Sequence, residues 1–219
     1  MKISKVTSSN LEVTMKNAIT FQSEKHSHLL YTTRKKKNHY ELISVQTGAV
    51  LVRLGKWEYL VMPGESFWLP FDALSAMTVV PNSTISCIQF SIRTRESLPH
   101  QGGYVEMTPL LIAGLDKLHS PTISEQAQQR LLSVMQDELL EASLHTDLSE
   151  ESKSINTYLS ALTENKTTSG YSVSPDMMMT LKVREADKMR KSGAKNDMIA
   201  ARYFSGNIDF LLQASSILA

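Results

Sequence analysis

Between Tyr40 and Arg93 the chain alternates short apolar, β-branched runs with turn signals, and this rhythm limits what it can fold into more than any other feature. Tyr40 to Val45 and Ala49 to Leu54 are separated by Thr47-Gly48, which reads as a hairpin turn. Gly55-Lys56 makes the next turn before Trp57 to Met62, and Pro63-Gly64 breaks the chain again before Ser66 to Leu69. Ala76 to Val80 and Ile85 to Arg93 follow, separated by Pro81-Asn82-Ser83. The strand-rich stretch runs from Leu11 to about Tyr104. Many short strands at regular spacing point to a sandwich or a small barrel, and a barrel of this size can enclose one ligand cavity.

Composition sets outer bounds on function. The 219 residues allow one generous domain or two small ones, with 42% hydrophobic content to build a core. A net charge of +1 excludes nucleic-acid binding through a global positive field, so any such site must be a local patch. The single cysteine, Cys87, lies in the apolar run Ile85 to Phe90 and reads as a buried thiol, not a nucleophile. Met1 to Asn10 lacks an apolar signal core and no stretch approaches a membrane span, so the expected location is the cytoplasm, with no membrane partner.

Two spacings then carry a resemblance. Glu41 is followed after six residues by Gly48, and Gly64 after five by Pro70-Phe71-Asp72-Ala73-Leu74-Ser75. Both resemble the signatures of the cupin superfamily, H-x-H-x3–4-E-x6-G and G-x5-P-x-G-x-x-H. In this chain Lys35 and Lys37, or Arg34 and Lys36, stand where the first two histidines belong, and Ser75 replaces the third. A divalent cation needs converging imidazoles or carboxylates, and ammonium or guanidinium groups repel it. Glu41 alone survives of the ligand set, so no metal and no cofactor are expected. His26-Ser27-His28 would put two imidazoles on one strand face but too far before Glu41. A structural or hydrogen-bonding role is the stronger reading for these two and for His39, which could also sense pH or a carboxylate ligand. Arg34-Lys35-Lys36-Lys37 reads as a solvated loop or as an anion site at the barrel mouth.

After Gly102-Gly103 the periodicity becomes helical. Thr108 is a candidate N-cap with Pro109 at the first helical position, and the run ends at His119-Ser120-Pro121. A second helix starts at Ser124 with an apolar stripe of Leu131, Leu132, Met135, Leu139 and Leu140. That stripe packs on the strands, makes a homodimer interface, or does both. Ser149 to Leu162 reads as a third helix, Asn165 to Ser174 as a linker, and Pro175 to Ala219 as wholly helical.

In that tail, Lys182, Ala186, Met189, Gly193, Ile199 and Ala200 fall where AraC/XylS-type transcription regulators have R-x-x-x-A-x-x-L, then G, then I-A before their helix-turn-helix. Phe204-Ser205 resembles that family's G-F-S turn. The order of cupin barrel, helices, linker and helix-turn-helix is also similar to it, as is the junction Gly103 to Leu111. Two departures stand out. The tail has room for one recognisable unit where the family has two, and the turn lacks its glycine before Phe204. The expected recognition helix, Asn207 to Ala219, contains no lysine or arginine. Basic charge lies upstream instead, where seven cations from Lys182 to Arg202 outnumber three acids. They read as a solvated helix face or as phosphate contacts.

The expected fold is therefore α+β. A cupin-like ligand-sensing barrel covers 1–106, a helical dimerisation and linker region 107–164, and a partial AraC-like helix-turn-helix region 165–219. The resemblance implies a ligand-sensing transcription regulator, not an enzyme, that is a homodimer, binds a small organic effector and contacts DNA. The alternative is a relative that has lost autonomous DNA binding and acts by protein–protein dimerisation, and a cupin enzyme is the third and weakest reading. Ligand-binding candidates are Tyr31, His39, Glu41, Trp57, Tyr59 and Trp68, because aromatic walls with a few polar groups suit small ligands. For DNA they are Lys188, Arg190, Lys191, Lys195 and Arg202 on phosphates, with Asn207 and Gln213 able to read base edges.

Overall fold

Turn residues divide the first half of the chain close to the expected points. In order come β1 (Ile19–His26), β2 (Leu30–Tyr31), β3 (Lys35–Lys36), β4 (His39–Thr47), β5 (Val50–Leu54), β6 (Trp57–Val61), β7 (Ser66–Leu69), β8 (Leu74–Val79), β9 (Ser83–Ser91) and β10 (Gly103–Val105). Then follow α1 (Pro109–Leu118), α2 (Glu125–Leu140), β11 (Leu144–His145), α3 (Glu150–Thr163), α4 (Pro175–Lys191), α5 (Asn196–Tyr203) and α6 (Ile208–Leu218). The computed structural model describes residues 18–93, 97–164, 166 and 171–218. The polar start at Met1 to Asn10, the expected strand region before residue 18, part of the Asn165–Ser174 linker and Ala219 lie outside these.

The architecture is mixed α+β, but the strands do not close into the expected barrel. They form a six-stranded sheet in the order β1-β9-β4-β7-β10-β11 and a second sheet, β2-β8-β5-β6, with β3 beside β8. Closure requires every strand to be paired on both sides. Among the described residues β1 pairs only with β9, and β6 only with β5, so each sheet keeps open edges. The β4–β5 turn depends on Gly48, whose φ is 77°. A Cβ there would also run into Ser83, whose hydroxyl accepts from Ala49 N at 2.9 Å.

Strand alternation then separates three cores. Ile43 and Val45, Val50 and Val52, Tyr59 and Val61, and Phe67 and Leu69 meet between the sheets. Their neighbours Leu42, Trp68, Ile88 and Phe90 face outward under α1 and α2. On the far side, Leu51 and Leu60 of the second sheet share a cluster with Ile155 and Tyr158 of α3 and with residues of α4, α5 and α6.

The helix starts follow the capping pattern. Thr108, Ser124, Ser149 and Ser174 each accept the backbone N–H three residues on. Within the α2 stripe Leu132, Met135 and Leu139 are buried against the first sheet, while Leu131 and Leu140 are half-buried at its margin. Leu110, Ile112 and Val134 remain exposed. Among the described residues no helix is long and apolar enough to cross a membrane.

The tail forms three helices, α4, α5 and α6, joined by short turns. Gly193, at φ 95°, ends α4, and Ala194 N bonds Met189 O at 3.0 Å. Ile199 and Ala200 are fully buried where α5 meets its neighbours. The turn into α6 does contain a glycine, against expectation, but after Phe204: Ser205 and Gly206 adopt φ of 52° and 81°, and Gly206 N bonds Ala200 O at 2.9 Å.

Candidate functional site

The six residues expected to line one ligand cavity point to different places. Glu41 lies on the inward face of β4, 4% exposed. It accepts from Lys37 Nζ and from Gln89 Nε2 at 3.1 Å, and His39 Nε2 is 3.7 Å away, too far for a hydrogen bond. Burial alone would raise the Glu41 carboxyl; His39 and Lys37 beside it more than offset that and hold it down at about 2. Burial, with Glu41 nearby, pushes the Cys87 thiol far up, which makes it inert at neutral pH. Tyr59 is also internal and packs against Phe67 and Tyr104 at 5.1 and 6.0 Å.

The others leave this interior. Trp68 follows inward-facing Phe67, so alternation turns it to the outer face, where it stacks on Tyr40 at 5.8 Å and donates Nε1–H to Pro99 O. Trp57, at the end of β6, is 41% exposed under Lys56 Nζ. Tyr31 faces α4. The sense of alternation cannot be read from sequence, and that is why a set chosen by residue type scattered. Among the described residues, no three His, Cys, Asp or Glu side chains converge in a group able to hold a metal ion.

The tail cations are distributed in a way the sequence did not signal. Lys188 is paired with Glu185 at 2.8 Å, Arg190 with Asp187 at 3.6 Å and Lys191 with Asp187 at 2.8 Å. Tyr31 donates its hydroxyl proton to Asp187 Oδ2 at 2.5 Å and accepts from Lys191 Nζ at 2.7 Å. Arg202 donates to Thr163 O at 2.6 Å, while Lys195 is exposed just before α5. The Asn207 side chain caps α6, accepting from Phe210 N at 2.9 Å. Gln213 is exposed and lines a groove with Phe210 and Met179.

Arg184 was missed altogether as a distinct residue, since it lies inside the basic run. It is 2% exposed and forks onto Glu58 of β6, Nη1 and Nη2 each 3.0 Å from a carboxylate oxygen. Nη1 also donates to Thr78 Oγ1 and Nε to Glu185, both at 2.9 Å. Burial would lower the Arg184 pKa, but the Glu58 and Glu185 carboxylates raise it, so the guanidinium stays charged. The available signal was Glu58 itself, a carboxylate sharing a strand face with apolar Leu60.

Around this pair the second sheet and α4 enclose a cleft of about 460 Å³, lined by Tyr31, Arg34, Arg53, Arg184, Lys188 and Lys191 among others. Arg34 comes from the run read as a solvated loop or anion site, and is held by Gly55 O at 2.8 Å. The arrangement can bind anions.

No protein-family model and no curated protein match the chain. Among solved structures it is similar to ToxT from Vibrio cholerae, at 10% identity and a TM-score of 0.40, over 92% of this chain and 95% of that one. A second similar structure is ToxT from Vibrio cholerae O395 bound to (E)-4-(8-methylnaphthalen-1-yl)but-3-enoic acid, at 10% and 0.39 over 92% and 95%. A third is a cupin superfamily protein from Desulfitobacterium hafniense DCB-2, at 8% and 0.32, over 34% of this chain and 68% of that one. Likeness at this level assigns neither a family nor a function.

Proposed function

We propose that the chain is a cytoplasmic transcription regulator of AraC-like layout, in which a two-sheet unit responds to a small effector and governs a DNA-contacting helical tail. The observation that carries this reading is the shared core. Leu51 and Leu60 of the second sheet belong to one buried cluster with Leu181 and Ala186 of α4, Ile199 and Ala200 of α5, and Leu211 of α6. A ligand that alters the sheet's outer face therefore acts directly on the packing of these tail helices. An enzymatic role has less support, because Glu41 is held between Lys37 and Gln89 and the half-buried Cys87 thiol stays protonated.

Lys195 and Arg202, both exposed on or beside α5, are the cations best placed for phosphate contacts. A mobility-shift assay of the full chain tests this. Binding should weaken similarly on all duplexes in Lys195→Gln/Arg202→Gln, with the salt slope reduced by roughly one per lost contact. One observation favours the second reading, a regulator partner without autonomous DNA binding. The cation-free helix α6 exposes Phe210 and Leu212. No retardation of any duplex by the folded protein would select it.

A further inference from the structure

We propose that the cleft between the second sheet and α4 is a binding site for a small phosphate monoester. The argument starts from Arg53. Its cross-strand partner in the register of β5 and β6 is Glu58, but both oxygens of that carboxylate are taken by Arg184. Arg53 consequently has no carboxylate within ion-pair distance among the described residues, and its Nε is buried without a hydrogen-bond partner. A guanidinium half removed from water beside a second, fully buried one is costly unless an anion joins them.

The rest of the lining is arranged for the same charge. Arg34 is held through Nη2 to Gly55 O at 2.8 Å and Nε to Leu74 O at 3.5 Å, which leaves Nη1 without an acceptor among the described residues. Lys188 and Lys191 enter from α4. Against these five cations stand Glu58 in the lining and Glu185 and Asp187 at its edge, so two positive charges are uncompensated. A phosphate monoester carries nearly two negative charges at neutral pH, and its oxygens suit guanidinium forks arriving from several directions. Thr32 and Thr33 add hydroxyl groups, and Ala76 with the Tyr31 ring offers apolar surface for a small organic remainder. About 460 Å³ lies within the range of small-ligand sites.

The two walls belong to different parts of the chain, Arg34 and Arg53 to the sheet and Lys188 and Lys191 to the helix that leads into α5 and α6. A bound phosphate ester would hold α4 against the sheet. Only this regulatory consequence rests on the regulator reading; the site itself does not.

The test is calorimetry and thermal unfolding of the full chain at constant ionic strength, with a hexose 6-phosphate, the parent hexose, inorganic phosphate, sulfate and succinate. The ester should bind and raise the melting temperature, inorganic phosphate should bind more weakly, and the hexose should do neither. Arg53→Gln should weaken ester binding by at least about tenfold without lowering the melting temperature of the free protein, and Arg34→Gln should act the same way. Equal binding of succinate or sulfate would overturn the phosphate assignment. Ester binding unchanged in both variants, or no ester binding by the folded wild type, would overturn the site. Ester binding that leaves DNA affinity untouched would retain the site and count against the regulator reading alone.

Discussion

Glu41, enclosed between the sheets by Lys37, His39 and Gln89, sets a pH dependence that can be worked out in sign and size. Its folded pKa of about 2 lies well below the usual carboxylate value. A depressed carboxylate contributes stability that is present above the unfolded pKa and lost as pH falls towards the folded one. The full contribution is on the order of 3 kcal/mol. Between pH 5 and pH 3 the wild type should lose about 2 kcal/mol that Glu41→Gln does not lose, read as the difference between their urea unfolding curves. Parallel losses in the two proteins would mean that the carboxylate is not held as the geometry indicates. Spacing alone pointed to Glu41, because it was the one cupin ligand left in place. Trp68, Trp57 and Tyr31 were equally visible as aromatics, yet direction depends on the phase of alternation and on which helix lies opposite, neither of which residue type encodes.

At the level of elements, the boundaries were the most legible part of the chain. Gly48, Pro63-Gly64 and Pro81-Asn82 mark turns by backbone chemistry alone, and Thr108, Ser124, Ser149 and Ser174 mark helix starts through their hydroxyls. The choice between sandwich and barrel was not legible, since it rests on whether edge strands β1 and β6 find second partners across the chain. The α5–α6 turn mixes both cases. Sequence spacing marked the turn at Phe204-Ser205 but read its glycine as absent, whereas the structure uses Gly206 and then Asn207 as the cap. That cap yields a prediction. Asn207→Ala should destabilise the protein by about 1 kcal/mol, while Asn207→Ser, which keeps a hydroxyl acceptor, should remain within a few tenths of wild type in thermal unfolding. Equal melting temperatures for all three would show that the side chain is free, as a base-reading role requires.

For the whole molecule, the deciding question is what makes the sheets and the tail one unit. The shared core brings apolar area, but apolar contact tolerates sliding, while the Arg184–Glu58 fork fixes one register of α4 on the sheet. Removing one partner leaves the other charge buried and alone, so Arg184→Met should cost about 3–5 kcal/mol. Replacing both, as Glu58→Leu/Arg184→Met, removes the stranded charge and should recover most of that loss. The two tryptophans, Trp57 and Trp68, lie in β6 and β7, so fluorescence follows the sheets while helical circular dichroism also follows α4 to α6. In wild type the two signals should change together during urea unfolding, as expected for one cooperative unit. In Arg184→Met the helical signal should fall at lower urea than the fluorescence, because the tail loses its anchor before the inter-sheet core opens. In the double variant the transitions should coincide again. If Arg184→Met unfolded with coincident signals and unchanged stability, the fork would not be what couples the tail to the sheet, and the shared apolar core would have to carry that coupling unaided.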